Sequence, residues 1–181
     1  MSSKQKIIKA AIEVIKEEGI RQYSLARVAA RIHITKPAIF YHFKNKEELT
    51  LAIIYHAISV YKEIETEEYE KIKEDSAFPY TESYLKGNLR QLQNAELVGL
   101  HSVLLATSIS ENIDGSYWDE IYETEFRNMA SEIGAEMAEL VRYTIDGMWH
   151  AKLLKMNEPE QTSQETVVQF LLGKIANTTS S

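Results

Sequence analysis

An all-α protein is what this sequence predicts: an amino-terminal three-helix module joined by a long fourth helix to a larger helical domain, about nine helices in all. Three observations point there. Apolar residues recur at i, i+3, i+4 and i+7 through most of the chain, while alternating strand-like runs are few. Only three prolines and seven glycines interrupt the 181 residues. The stretch from Ser24 to Leu49 reads as two short helices around a tight turn, with a third starting behind them. That is the form of a helix-turn-helix, which places one helix in the major groove of DNA.

Helix one is expected over Lys4 to Glu18, burying Ile8, Ala11, Ile12 and Ile15. Ser2 with Gln5 suits a capping box, and Gly19 is placed to end the helix in the left-handed conformation. Ser24 caps a second helix, Leu25 to Ile32, whose buried side holds Leu25, Val28 and Ala29. After a His33-Ile34 turn, Thr35 caps a third, Lys36 to Phe43, with Pro37 in its first turn and Ile39 and Phe43 as anchors. Asn45 and Glu48 open helix four, Lys46 to Lys73. Its inner stripe is Leu49, Ile53, Ala57, Val60 and Ile64, and its charge-rich second half, Glu63 to Asp75, reads as a solvated face.

Five further helices follow. They are Tyr80 to Gln93, Ala95 to Ser110, Ser116 to Ile133, Ala135 to Met156 with Gly134 as the break before it, and Glu165 to Ala176. The Asn112-Ile113-Asp114-Gly115 segment is a turn by composition. Thr162 and Glu165 after Pro159 form a second capping-box pattern, and residues 177–181 read as a frayed tail.

Charge divides the chain. Residues 1–46 hold ten Lys or Arg and three Asp or Glu, a net of +7, and the remainder carries −14 against a total of −7. A local basic surface is the footprint that a line of phosphates requires, and an acidic remainder keeps the rest of the molecule away from it. We therefore place a helix-turn-helix DNA-binding domain at 1–46 and a second helical domain at 47–181, to which the family resemblance given below assigns effector binding and dimerisation. The absence of cysteine excludes disulfides, thiol catalysis and Cys-ligated zinc. No apolar run approaches the roughly 20 residues of a membrane span, and the amphipathic start is not a signal peptide, so a cytoplasmic setting is expected.

These residues resemble the TetR family of bacterial transcriptional regulators. The resemblance rests on Glu18-Gly19, on Ser24, and above all on Lys36-Pro37-Ala38-Ile39-Phe40-Tyr41-His42-Phe43 followed by Lys44-Asn45-Lys46-Glu47-Glu48-Leu49. The pattern runs from about Ile7 to Leu51. Ile145-Asp146-Gly147-Met148-Trp149 also resembles a segment of the betaine-regulator branch of that family. Two positions depart from the pattern. Ile32-His33 stands where the family has Ala-Gly or a similar pair, and Phe40 where it commonly has Tyr.

The resemblance implies roles. Lys46 matches a family lysine at the start of helix four, where an ammonium and a helix amino terminus meet the same phosphate. Tyr41, His42, Ser24, Thr35 and Arg27 are the further backbone candidates, with surface solvation the alternative for Arg27. Lys36 and Ala38, at the front of helix three, are the candidates for base readout, Lys to guanine and the Ala methyl to thymine. Phe40 and Phe43 read as structural.

By the same resemblance helices five to seven enclose a small-molecule pocket. Tyr84, Asn88, His101, Leu104, Trp118, Tyr122 and Phe126 are its candidates, with ordinary core packing the alternative. No cluster of fixed charges stands out, so an apolar or amphipathic effector is the expectation. Helices eight and nine form a dimer interface in the family. The candidates here are Val141, Ile145, Met148, Trp149, Val168, Leu171, Leu172 and Ile175, unless both faces close on the monomer's own core.

Asp146 and His150 have the i, i+4 spacing of a metal half-site but no third ligand, so no metal and no cofactor is expected. An enzyme using His101 or His150 lacks a nucleophile–base pair. The expected function is a homodimeric, ligand-released repressor on a near-palindromic double-stranded operator. An activator of the same fold and a helical protein-interaction module are the alternatives.

Overall fold

The computed structural model describes residues 2–110, 116–156 and 161–179. Among them the chain forms α1 (Ser3–Glu18), α2 (Leu25–Arg31), α3 (Lys36–His42), α4 (Lys46–Ile72), α5 (Pro79–Leu92), α6 (Ala95–Ser110), α7 (Ser116–Ile133), α8 (Ala135–Leu154) and α9 (Gln161–Thr179), with one 3-10 turn at Ile20–Gln22 and no strand. The fold is all-α. Helix α9 starts before Glu165 and runs to Thr179, so Thr162 lies inside the helix, and residues 177–179 of the expected tail are helical. The expected Asn112–Gly115 turn and Pro159 lie outside the described residues.

Two compact units divide the chain, and the division falls within α4. The first gathers residues 1–60 with α6 from Gly99 onward, and the second holds Tyr61–Val98 and the chain from α7 to α9. The expected boundary at residue 46 therefore lies at the start of a helix whose first half belongs to the first unit. Leu49 and Ile53 of that half are fully buried in its core.

In the first unit the capping box at Ser2 is formed. Its hydroxyl accepts from the Gln5 amide at 3.2 Å, and Gln5 Oε1 accepts from the Ser2 amide at 2.8 Å. Helix α1 buries Ile7, Ala10, Ala11, Val14 and Ile15, one residue around the helix from the expected stripe, so Ile8 and Ile12 pack only at the margin. Gly19 has φ +88° and ψ 159°, an extended positive-φ conformation open to glycine and not the left-handed helical one expected.

The turn after α2 closes as a Schellman motif. The Ile34 amide donates to the Ala29 carbonyl at 3.0 Å and the His33 amide to the Ala30 carbonyl at 3.2 Å. His33 takes the left-handed position at φ +55°, the place a glycine fills more easily. Helix α3 has only seven residues, too few to persist alone, and Ile39 with the adjoining Phe43 anchors it in the core at zero exposure.

The core of the second unit is built from Leu85 and Leu92 of α5, Met129 of α7, Ala138, Val141 and Ile145 of α8, and Val168, Leu171 and Ile175 of α9. Helix α5 has no side-chain cap of its own at Phe78. Glu132 of α7 substitutes for one: its carboxylate accepts from the amides of Tyr80 and Thr81 and from the Thr81 hydroxyl, each at 2.8 Å. A carboxylate at a helix amino terminus satisfies free N–H groups and opposes the helix dipole. Deeper in, Trp149 Nε1 donates to Asn88 Oδ1 at 2.9 Å, joining α8 to α5.

Candidate nucleic-acid interface and effector cavity

Local chemistry sets the candidate surface of the first unit. Ser24 accepts from the Arg27 amide at 3.2 Å and Thr35 from the Ala38 amide at 3.3 Å, so each hydroxyl starts a helix while its own proton remains available to a phosphate. Asn45 accepts from the Glu48 amide, and Glu48 from the Lys44 amide, both at 2.8 Å, which fixes the start of α4. Lys46, half-buried there, holds its ammonium 5.0 Å from the ring centroid of Tyr23, and the Tyr23 hydroxyl lies 3.1 Å from Thr50 Oγ1. The lysine is thus aimed by a cation–π contact.

Helix α3 turns Lys36, Pro37, Phe40 and Tyr41 outward. Tyr41 is 86% exposed and packs edge-on against His42, with ring centroids 5.1 Å apart. Phe40 is 48% exposed, which corrects its reading as a structural residue; Phe43 alone fills that role. Ala38 and His42 are half-buried and face a groove of about 520 Å³ shared with Lys6 and Lys9 of α1. Those two lysines escaped the sequence reading, because nothing local in α1 distinguishes them from solvated charge.

Arg27 is placed differently from its expected role. Its Nε donates to Glu18 Oε2 at 2.6 Å, while Arg31 meets Glu17 at 2.6 Å and Glu13 at 3.3 Å. The two arginines bolt α2 to the acidic side of α1, so much of their charge is spent within the protein.

The second unit holds a cavity of about 310 Å³ between α4, α5 and α7. Its lining includes Lys62, Glu65 and Tyr69 from α4, Tyr80 and Tyr84 from α5, and Glu125 and Met129 from α7. The Tyr69 and Tyr80 rings stack with centroids 4.7 Å apart and 25° between their planes, leaving the outer faces of the pair open. Burial, then the nearby Glu125 charge, pushes Glu65 up to about 8 against the opposing pull of Lys62. Burial likewise pushes Glu125 up to about 7, with Lys62 lowering it and Asp146 raising it. Tyr84 is held well above its ordinary value by burial and by these carboxylates, so it stays a neutral phenol.

A cluster of charges therefore does line this cavity, contrary to the sequence reading. Glu65 sits inside the run taken for a solvated face, whereas its neighbours Glu67 and Glu68 pair outside with Arg90.

Of the expected pocket residues, Tyr84 lines the cavity and Asn88 is committed to Trp149 and to the Tyr84 carbonyl at 3.0 Å. Tyr122 is exposed and Phe126 packs at the margin of the core. His101 and Leu104 belong to the first unit, and the Trp118 side chain lies outside the described residues. The dimer candidates face inward in the protomer. Val141, Ile145, Met148, Trp149, Val168, Leu171 and Ile175 are buried within the protomer and Leu172 packs against them, because α5, α7, α8 and α9 bury that face in one core. His150 Nδ1 lies 2.7 Å from the Asp146 carbonyl oxygen, an intrahelical contact.

Comparison with known proteins places this geometry. Residues 7–53 match the family of bacterial regulatory proteins described as the tetR family. Residues 79–176 match the tetracyclin repressor-like C-terminal domain. A fatty acid metabolism regulator protein of Bacillus subtilis (strain 168) is 35% identical over 69 residues, 38% of this chain and 32% of that protein. The chain thus spans about a third of the length of that curated relative. Among solved structures, the multidrug binding protein EbrR complexed with malachite green has a TM-score of 0.76 at 18% identity, covering 94% of this chain and 98% of that one. A TetR-family member from Streptomyces coelicolor A3 has a TM-score of 0.74 at 19% identity, again covering 94% and 98%. At such identities the likeness is one of fold. The two family matches span the helix-turn-helix and more than half of the chain besides, and on them this chain belongs to the tetR family of bacterial regulatory proteins, DNA-binding transcriptional regulators and not enzymes.

Proposed function

We propose that the chain is a ligand-released repressor that grips two half-sites of a near-palindromic operator as a homodimer. The front of α3 carries the reading: Lys36, Phe40 and Tyr41 stand in solvent while Ile39 and Phe43 of the same helix are sunk in the core. A seven-residue helix held this way presents a rigid edge to the major groove. Lys36 and Ala38 read bases. Ser24, Thr35, Tyr41, His42 and Lys46 set the register on the backbone.

A second copy fits the outward face of α8 and α9. Leu140, Tyr143, Gly147 and Leu154 follow one side of α8, and Val167 and Phe170 one side of α9; all are exposed. Apolar side chains in such rows are what a two-fold partner covers. The effector occupies the cavity of the second unit. That the fold accepts small molecules is in keeping with the relative complexed with malachite green and with a SmeT–triclosan complex of TM-score 0.68. Helix α4 belongs to both units and is the natural lever. The effector shifts the equilibrium only by binding the DNA-incompetent state more tightly.

The test is fluorescence anisotropy of the protein on DNA from upstream of its own gene, against a scrambled duplex, over a salt series. Selective, salt-sensitive binding supports the regulator. Equal affinity for both duplexes, persisting after selection from a random DNA pool, refutes it.

A further inference from the structure

We propose that the cavity between α4, α5 and α7 selects a compact aromatic organic cation, held between the carboxylates of Glu65 and Glu125 and the stacked rings of Tyr69 and Tyr80. The inference rests on the reading of this cavity as the effector site and names the chemical class it takes. A volume of about 310 Å³ lies at the lower end of the roughly 300–1,000 Å³ range of small-molecule sites. A ligand of two fused rings is therefore nearer its size than a long-chain one.

Charge then selects the sign. Two carboxylates line the cavity and Asp146 of α8 adds its field, while the Lys62 ammonium of α4 opposes both glutamates. Within the described residues neither Glu65 nor Glu125 has a hydrogen-bonding or ion-pairing partner at contact distance. A carboxylate held out of water without such a partner is costly, and an incoming cation removes that cost. An anion would add a further negative charge to a site that already disfavours two.

Shape selects the ligand's form. Tyr69 and Tyr80 stack nearly parallel and so hold each other in place, and a flat cation laid on the outer face of the pair meets both dispersion and the negative face of a ring there. A bare metal ion would use none of this, and no group of three or more metal-ligating side chains occurs among the described residues. Tyr84, neutral and buried, lines the same cavity and offers it a phenol in place of a further charge.

The test is isothermal titration calorimetry of the full chain, without DNA, using three probes: N-methylquinolinium, 2-naphthoate of similar size, and decanoate. The cation should bind at least ~10-fold tighter than either anion. Its affinity should fall as pH is lowered from about 8 to 6, because protonating Glu65 and Glu125 removes the attraction. Lys62, Asp146 and Tyr84 are the other titratable groups that face these carboxylates. The double variant E65Q/E125Q should lose the preference while keeping its helical circular dichroism. The wild-type pH series reads the same interaction without any substitution.

Equal or tighter binding of either anion, no measurable cation binding at about 1 mM, or unchanged cation affinity in the double variant would each overturn the proposal. Failure of the regulator reading looks different. If the cation binds as stated but never releases DNA, the cavity inference stands and the effector role falls. If an anion both binds and releases DNA, the converse holds.

Discussion

A methyl group on the α-carbon of Gly87 would stand 3.1 Å from Cγ of Glu65 and 3.5 Å from its α-carbon. Helix α5 therefore lies against α4 with no side chain between them, at the point where Glu65 enters the cavity. Gly87→Ala tests this contact. The helix-interior propensity gain of about 1 kcal/mol is set against a crowded contact, and Glu65 has a flexible side chain that can give by a few tenths of an ångström. We expect thermal stability to change by less than about 1 kcal/mol, while affinity for the cationic probe drops several-fold as the carboxylate is displaced. Denaturant unfolding and calorimetry on one preparation separate the two effects.

The raised carboxylates fix a pH trend. In the unfolded chain each ionises at its ordinary value near 4.5; in the folded chain Glu65 does so at about 8 and Glu125 at about 7. Between those values the unfolded state has lost protons that the folded state keeps, so folding weakens as pH rises from about 5 through 8. Urea midpoints should fall from pH 6 to pH 8, by about 1 kcal/mol or more in stability. E65Q should flatten that slope and stabilise the protein at pH 8. A midpoint independent of pH, or a slope unchanged by E65Q, would rule out burial of these charges.

The helix-turn-helix was legible in the sequence because its determinants are local. Ser24, Thr35 and Asn45 each cap a helix through an amide three residues on, and such spacing can be read directly. The cavity was not legible. Glu65 and Glu125 lie far apart in sequence on charge-rich helices, and nothing in either stretch distinguishes the carboxylate that turns inward from those that pair with Arg90 outside. Periodicity also revealed apolar residues on α8 and α9 but could not apportion them between the protomer's core and a second copy. It therefore named Val168, which is buried in the protomer, and passed over the exposed Phe170 two residues later.

His33 carries the left-handed residue of the Schellman turn, so its substitutions should rank by backbone tolerance. His33→Gly relieves the positive φ at some cost in unfolded-chain freedom and should leave stability within about 0.5 kcal/mol. His33→Val puts a β-branched residue at φ +55° and should cost roughly 1–2 kcal/mol, with weaker operator binding as α3 loses its angle. Equal stability of the two variants would mean the turn is not held in this conformation.

Lys46 and Lys36 should fail in different ways. Lys46→Ala removes an ammonium positioned over Tyr23 and should weaken binding to every duplex, lowering the salt dependence by about one unit. Lys36→Ala should cost about 1–3 kcal/mol at one operator position and leave non-specific binding nearly unchanged. Anisotropy against a panel of single-base operator variants distinguishes them. A Lys46→Ala protein with the wild-type salt slope would remove that lysine from the phosphate contacts.

Phe170 and Val168 offer the sharpest test of the dimer face, since two residues on one helix face opposite ways. Phe170 is 61% exposed while Val168 is buried in the protomer's core. Phe170→Glu puts a charge where a second copy would close over an aromatic ring, and in the protomer it removes that ring's contact with the Lys174 ammonium but no core residue. It should give a folded monomer in sedimentation equilibrium. Operator affinity should fall by about 100-fold or more, because one half-site no longer brings the other into reach. Val168→Glu buries a charge inside the unit and should unfold it instead. A Phe170→Glu protein that still sediments as a dimer would move the interface elsewhere on the surface, and a Val168→Glu protein that stays folded but becomes monomeric would return it to the face that the sequence alone suggested.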